Sequence, residues 1–177
     1  MNNNLKNIFE LLELERASIF ELLQKVPAEF LQQCPDENSW SVIQIIDHML
    51  QVERASLTYL KKKIKAGADV PEASFSSKIR TFLLISFLHS PMKFKAPESL
   101  KTPVNDKELG EMLHIWNAVR KDLIKFLEVF PEDLLGKAIF KHPVSGRIKM
   151  DQTLQFFRAH QAHHLHQIQR TLKKING

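Results

Sequence analysis

The sequence contains a single cysteine, Cys34. An internal disulfide framework is therefore excluded, and so is a zinc site built from several thiolates. Glycine is scarce, at 5 residues, and 44% of the chain is hydrophobic against 25% charged. Such a composition is neither low-complexity nor collagen-like and can supply a sizeable core. Long apolar runs are missing too. The most apolar stretch, Phe82-Leu83-Leu84-Ile85-Ser86-Phe87-Leu88, falls far short of the roughly 20 residues that span a bilayer. Met1-Asn2-Asn3-Asn4-Leu5-Lys6 lacks the basic-then-apolar pattern of a signal peptide. The expectation is a cytoplasmic protein with no membrane association. Charge of one sign is also absent, with 25 Lys and Arg against 20 Asp and Glu, a net +5. The small basic clusters, Lys61-Lys62-Lys63 with Lys65, Lys93 with Lys95, and Lys173-Lys174, suit helix ends and solvated faces. No dense basic face with interleaved aromatics exists, so nucleic-acid binding is not expected. The length fits one domain over residues 1–177.

What the chain does have is helical periodicity. Leu5, Ile8, Leu12, Ile19, Leu22, Leu23 and Val26 predict an amphipathic helix from about Asn4 to Val26, ended by Pro27. A second helix begins near Ser39-Trp40-Ser41 and runs to about Lys65. Its stripe is Val42, Ile45, Ile46, Met49, Val52 and Leu60, and either Ser39 or Ser41, the latter with Gln44 as a capping box, opens it. Phe75–Leu88 is a candidate shorter helix. Pro91, Pro97 and Pro103 then punctuate an extended crossover over 91–104. Asn105 with Glu108 reads as another capping box, opening a helix from about Asp106 to Phe130. A single turn follows at Pro131-Glu132-Asp133-Leu134-Leu135. Lys137–Met150 is expected to form a small hairpin around Pro143–Gly146. Asp151 caps a last helix, Gln152 to about Asn176. The fold expected is all-α: a four-helix bundle with a long crossover between helices 2 and 3 and a small hairpin before helix 4.

Histidine is the informative residue. Of the 8 in the chain, four lie close together on the last helix: His160, His163, His164 and His166. At about 100° per residue, His160 and His164 stand about 40° apart, one turn removed, so two imidazoles can approach one ion from one side. With His160 at zero, Phe157, Ile168, Leu172 and Leu165 fall at roughly 60°, 80°, 120° and 140°. His164 then borders the apolar stripe and His160 lies just outside it. His163 and His166, at roughly 300° and 240°, are expected to face solvent or a subunit contact. His48 shares an inward face with Ile45, Met49 and Val52. A lone histidine there is more often a hydrogen-bonded core residue, but an inward pair on another helix makes it a third ligand candidate. The competing reading of the histidine run is a polar, partly solvated helix end, because an HxxxH spacing alone is not specific.

The residues resemble a known family. Trp40-Ser41-Val42-Ile43-Gln44-Ile45-Ile46-Asp47-His48-Met49-Leu50-Gln51-Val52-Glu53 is similar to the opening signature of the DinB/YfiT-like superfamily, W-s-x(5–6)-H-l-x(3)-E. His160-Gln161-Ala162-His163-His164-Leu165-His166-Gln167-Ile168 resembles its closing H-x(3)-H-x(2)-Q-I element, and His142-Pro143-Val144-Ser145-Gly146 its HP-x-x-G turn. The likeness covers most of the chain in the right order. It implies a four-helix bundle, often a homodimer, holding a divalent metal, usually zinc or nickel, on three histidines. Carried onto this sequence these are His48, His160 and His164, the trio that helix geometry also favours. Relatives include transferases that use bacillithiol or mycothiol, and maleylpyruvate isomerase.

The leading expectation is thus a metal-dependent enzyme that transfers a low-molecular-weight thiol, such as bacillithiol, to a small-molecule electrophile. Coordination lowers the pKa of a bound thiol or water. Asp47 and Glu53 are candidates for proton transfer or for contacts to the ligands, set against the commoner reading of plain surface carboxylates. Cys34, in a loop, is not expected to be a nucleophile. Trp40 and Trp116 are read as core anchors. The alternatives are a hydrolase acting through metal-bound water and a non-catalytic bundle that metal stabilises or a partner engages.

Overall fold

A computed structural model describes residues 1–67, 70–73 and 103–177, with Ile79 and Ile85. Four long helices carry the architecture: α1 (Asn3–Leu23), α3 (Val42–Lys65), α4 (Leu109–Glu128) and α5 (Met150–Asn176). A five-residue helix, α2 (Ala28–Gln32), follows α1. A 3-10 turn (Glu132–Leu134) and a hairpin of β1 (Phe140–His142) and β2 (Gly146–Ile148) link α4 to α5. The shorter helix expected over Phe75–Leu88 lies outside the described residues, save Ile79 and Ile85, and so does the crossover expected over 91–104, save residues 103 and 104.

Packing fixes the helix directions. One buried cluster joins the start of α1 (Leu5, Ile8, Phe9, Leu12) to the ends of α3 and α4 and the start of α5 (Leu154, Phe156, Phe157). The other joins the end of α1 (Ile19, Phe20, Leu23) to the starts of α3 and α4 and the end of α5 (Ile168, Leu172). Hence α1 and α5 run one way and α3 and α4 the other. α3 and α4 are therefore parallel, and the 24 residues of α3 span about 36 Å of the bundle. α1 packs on α5 and α4, and α3 on the same two helices.

Between the two clusters lies a polar layer. Glu53 Oε1 accepts from Arg120 Nη2 at 2.7 Å and Glu53 Oε2 from Trp116 Nε1 at 2.9 Å. Arg120 Nη2 also donates to Gln161 Oε1, and Gln161 Nε2 to the Leu12 carbonyl. All four long helices meet in this network, and Glu53, Trp116, Arg120 and Gln161 are buried. Trp116 is thus the core anchor expected. Glu53 is an interior ion-pair member, not a surface carboxylate.

Local chemistry accounts for the helix boundaries, including three that differ from expectation. α5, expected to be capped by Asp151, starts at Met150 with Lys149 at its cap, whose N donates to Gln152 Oε1. Ser41, not Ser39, caps α3: its Oγ accepts from Gln44 N, and Gln44 Oε1 accepts from Ser41 N. α4 begins at Leu109, not near Asp106, because Asn105 does not cap it. Its side chain accepts from Ser41 Oγ and donates to the Gln32 carbonyl, tying the end of the crossover to α2 and α3. α1 ends at Leu23, short of Val26; residues 24–26 turn toward Pro27, whose ring disfavours helix before it. The hairpin pairs Phe140 with Ile148 and His142 with Gly146, and Gly146 adopts φ +73°, which a side chain would strain.

Candidate metal centre

α3 and α5 pack together, which brings His48 toward His160 and His164. One ring nitrogen from each lies within 4.8 Å of the other two, and all three residues are buried. The Nε2 atoms of His160 and His164 are 3.0 Å apart. Two ligands on one zinc ion, each at about 2.0–2.1 Å, are separated by roughly 3.3 Å in a tetrahedral arrangement. The pair is therefore already near coordination spacing.

The electrostatics favour neutral rings. Burial pushes the His48 imidazole down to about 4, the charge of Asp47 partly opposing and His163 adding. Burial, followed by the proximity of His48, takes His164 down to about 3, against the stabilising hydrogen bond that His164 donates to Gln167. His160 falls well below the ordinary value through burial and then through His164, His48, His163 and His142. At neutral pH three uncharged imidazoles face one another. Their nitrogen lone pairs are the donors that zinc, nickel and copper prefer, and no carboxylate among the described residues joins the set. The residues present fit a divalent ion of that kind.

Other candidates fall elsewhere. Asp47 is half-buried, and its Oδ2 accepts from Gln51 Nε2 at 2.7 Å and from Val104 N at 3.0 Å, so it holds the end of the crossover. Glu53 has both oxygens taken by Arg120 and Trp116. His166 is exposed, as expected, but His163 is not: it is 8% exposed, its ring centroid 5.2 Å from that of His164. A single inward stripe would leave position 163 outside. α5 packs against both α1 and α3, so its buried arc is wide enough to include it. Cys34 is exposed, its thiol donating weakly to Gln44 Oε1 at 3.6 Å.

Three side chains near the site carry no role there from sequence reasoning. Trp40 is half-buried, and its ring lies 5.2 Å from that of His48. It packs beside His48 as well as touching the core, and its place eight residues before His48 offers no helical cue because it precedes α3. Gln167 Oε1 sits 2.8 Å from His164 Nδ1; its i+3 spacing from a candidate ligand is the available signal. His142 packs against Phe156 at 4.4 Å between ring centroids, and Phe156 lies 5.4 Å from His160. Its Nδ1 accepts from the backbone N–H groups of Val144 and Ser145 at 3.1 and 3.2 Å, which occupies that nitrogen and braces the hairpin turn. Burial pushes its pKa down to about 4.

A four-helix bundle with a buried cluster of three imidazoles on two of its helices defines the class of protein. The chain belongs to the DinB superfamily, whose family model matches residues 11–168. It is similar to the uncharacterized protein YuaE of Bacillus subtilis (strain 168), with 26% identity over 161 residues, covering 90% of this chain and 94% of that one. Among solved structures it resembles TT2238, described as a four-helix bundle protein, with a TM-score of 0.56 at 20% identity, covering 94% of this chain and 98% of the other. That likeness bears on the fold alone. No helix among the described residues is long and apolar enough to cross a membrane.

Proposed function

We propose that this protein is a divalent-metal-dependent enzyme that joins a low-molecular-weight thiol to a small electrophile, with His48, His160 and His164 as the metal ligands. The observation that carries the reading is the convergence of three buried, neutral ring nitrogens within 4.8 Å. Three protein ligands leave a coordination position for an exogenous group, the arrangement found in catalytic rather than structural zinc sites. A bound zinc or nickel ion would supply Lewis acidity, holding a thiol or water as its anion at neutral pH. The chain's own contribution is orientation and exclusion. α3 and α5 fix the three rings, Trp40 packs beside His48, and Phe156 packs against His160. Asp47 is tied to Val104 and holds the strap at residues 103–105 beside the start of α3; that structural duty, rather than proton transfer, is its role.

Elemental analysis of the purified protein tests the ligand set. Wild type should carry close to one ion per chain, and His48→Ala, His160→Ala and His164→Ala should each lose it, while His166→Ala keeps it. Retention of the ion by any of the first three would remove that histidine from the set. The thiol step is separable. Metal-loaded protein that turns over esters or amides with no added thiol would favour metal-activated water instead. A metal-loaded protein that is only more heat-resistant, and inactive toward electrophiles with and without thiols, would leave the non-catalytic reading.

A further inference from the structure

Gln167 follows His164 by three residues on α5, and its Oε1 lies 2.8 Å from His164 Nδ1. An amide oxygen only accepts hydrogen bonds, so this contact requires the ring proton on Nδ1. His164 Nε2 is then a bare lone pair, and it points at His160 Nε2, 3.0 Å away. In the metal-free protein His160 must therefore donate its Nε2–H to His164, and a proton lies between the two nitrogens that would share a cation. His142 shows the opposite constraint. Two backbone N–H groups donate to its Nδ1, so the proton of the neutral ring sits on Nε2. Two buried imidazoles near the same helix are thus held in opposite tautomers by their immediate partners.

We propose that Gln167 is a positioning residue of this site: it commits His164 to the Nδ1–H tautomer and to the ring orientation that presents Nε2 to a divalent cation. The consequence for metal rests on the function proposed above, whereas the tautomer is a property of the metal-free chain, so the two are tested separately. Nitrogen-resolved NMR of the imidazoles, in metal-free wild type, Gln167→Leu and Gln167→Glu, reads the tautomer. Competition titrations with zinc and with nickel read the affinity, and circular dichroism melting checks the fold. In wild type the His164 proton is expected on Nδ1. Gln167→Leu should give a mixture of tautomers and bind either metal about 10–100-fold more weakly, the usual effect of removing an outer hydrogen-bond partner of a ligand. Gln167→Glu, which keeps an acceptor oxygen in place, should restore binding to wild-type strength or better. A wild-type His164 protonated on Nε2, with the amide turned the other way, overturns the inference. So does a Gln167→Leu variant that binds both metals as tightly as wild type. A wild type that binds neither metal overturns the metal reading of the site, while the His164 tautomer in wild type against Gln167→Leu still decides by itself whether Gln167 sets the ring: a Gln167→Leu variant with the same single tautomer as wild type overturns the inference.

Discussion

Replacing Glu53 by Ala is the sharpest test of how the bundle is held together. Arg120 is 2% exposed; its Nη2 bonds Glu53 at 2.7 Å and Gln161, and its Nη1 has only a 3.4 Å contact with Glu13, which is 28% exposed. Arg120 Nε has no hydrogen-bond partner among the described residues. Burial pushes the Glu53 carboxyl up and the Arg120 guanidinium down, each opposed by the other's charge. A guanidinium does not give up its proton in a folded protein, so the variant leaves a buried cation whose remaining counter-ion is the partly exposed Glu13, 3.4 Å from Nη1. Breaking a buried pair from one side costs about 3–5 kcal/mol. The stranded indole N–H of Trp116 adds about 1 kcal/mol, for a total of about 4–6 kcal/mol. With an unfolding entropy of about 2.1 cal/mol/K per residue, 177 residues give about 0.37 kcal/mol/K, and the midpoint should fall by about 11–16 °C. Calorimetry on metal-free protein measures this. The double variant Glu53→Leu/Arg120→Met removes both charges and should recover at least half of the loss. A single variant that loses less than about 1 kcal/mol, or a double variant no better than the single, would refute the reasoning.

The remaining predictions concern the histidines and their surroundings. Folded His48, His142 and His164 titrate at about 4, 4 and 3, and His160 well below its ordinary value, whereas the unfolded chain binds these protons near the ordinary value of about 6.5. The unfolded state therefore holds more protons between about pH 6.5 and pH 4, and stability falls as pH drops through that window, by about 1.4 kcal/mol per pH unit for each imidazole involved. Urea midpoints of metal-free protein that stay level from neutral pH down to about pH 5 would contradict these burials. Trp40 lies 5.2 Å from His48, so nickel or copper should quench its fluorescence. Trp40→Phe should remove most of that quenching although Trp116 remains, and equal quenching in the variant would place the ion elsewhere. Ser41→Ala loses the cap on Gln44 N and the bond to Asn105 and should cost about 1–2 kcal/mol in chemical denaturation; an unchanged midpoint would show that neither contact matters.

Much of the fold and the site is legible in the sequence where one helix's periodicity decides the matter. The apolar stripe of α3 places His48 inward, and the angular spacing on α5 places His160 and His164 beside it. Failures come where tertiary contacts overrule a local rule. Asn105 and Glu108 satisfy the capping pattern, yet Asn105 commits its side chain to Ser41 and Gln32, and α4 starts later. His163 reads as outward when α5 is allowed one buried face, and α5 has neighbours on two sides. Glu53 and Arg120 carry a readable signal: each interrupts an otherwise apolar helix face, four residues after Met49 and Trp116 respectively. A charge in that position calls for an opposite charge across the bundle, but one sequence does not say which residue supplies it.

Cys34 has a practical use. Its exposed thiol sits against Gln44, one helical turn before His48 on α3, and no other thiol exists in the chain. A nitroxide attached there is a ruler with its origin fixed at the entrance to α3. With copper supplied, the dipolar coupling between the two unpaired electrons would give the distance to the ion directly, without crystals and without knowledge of any substrate.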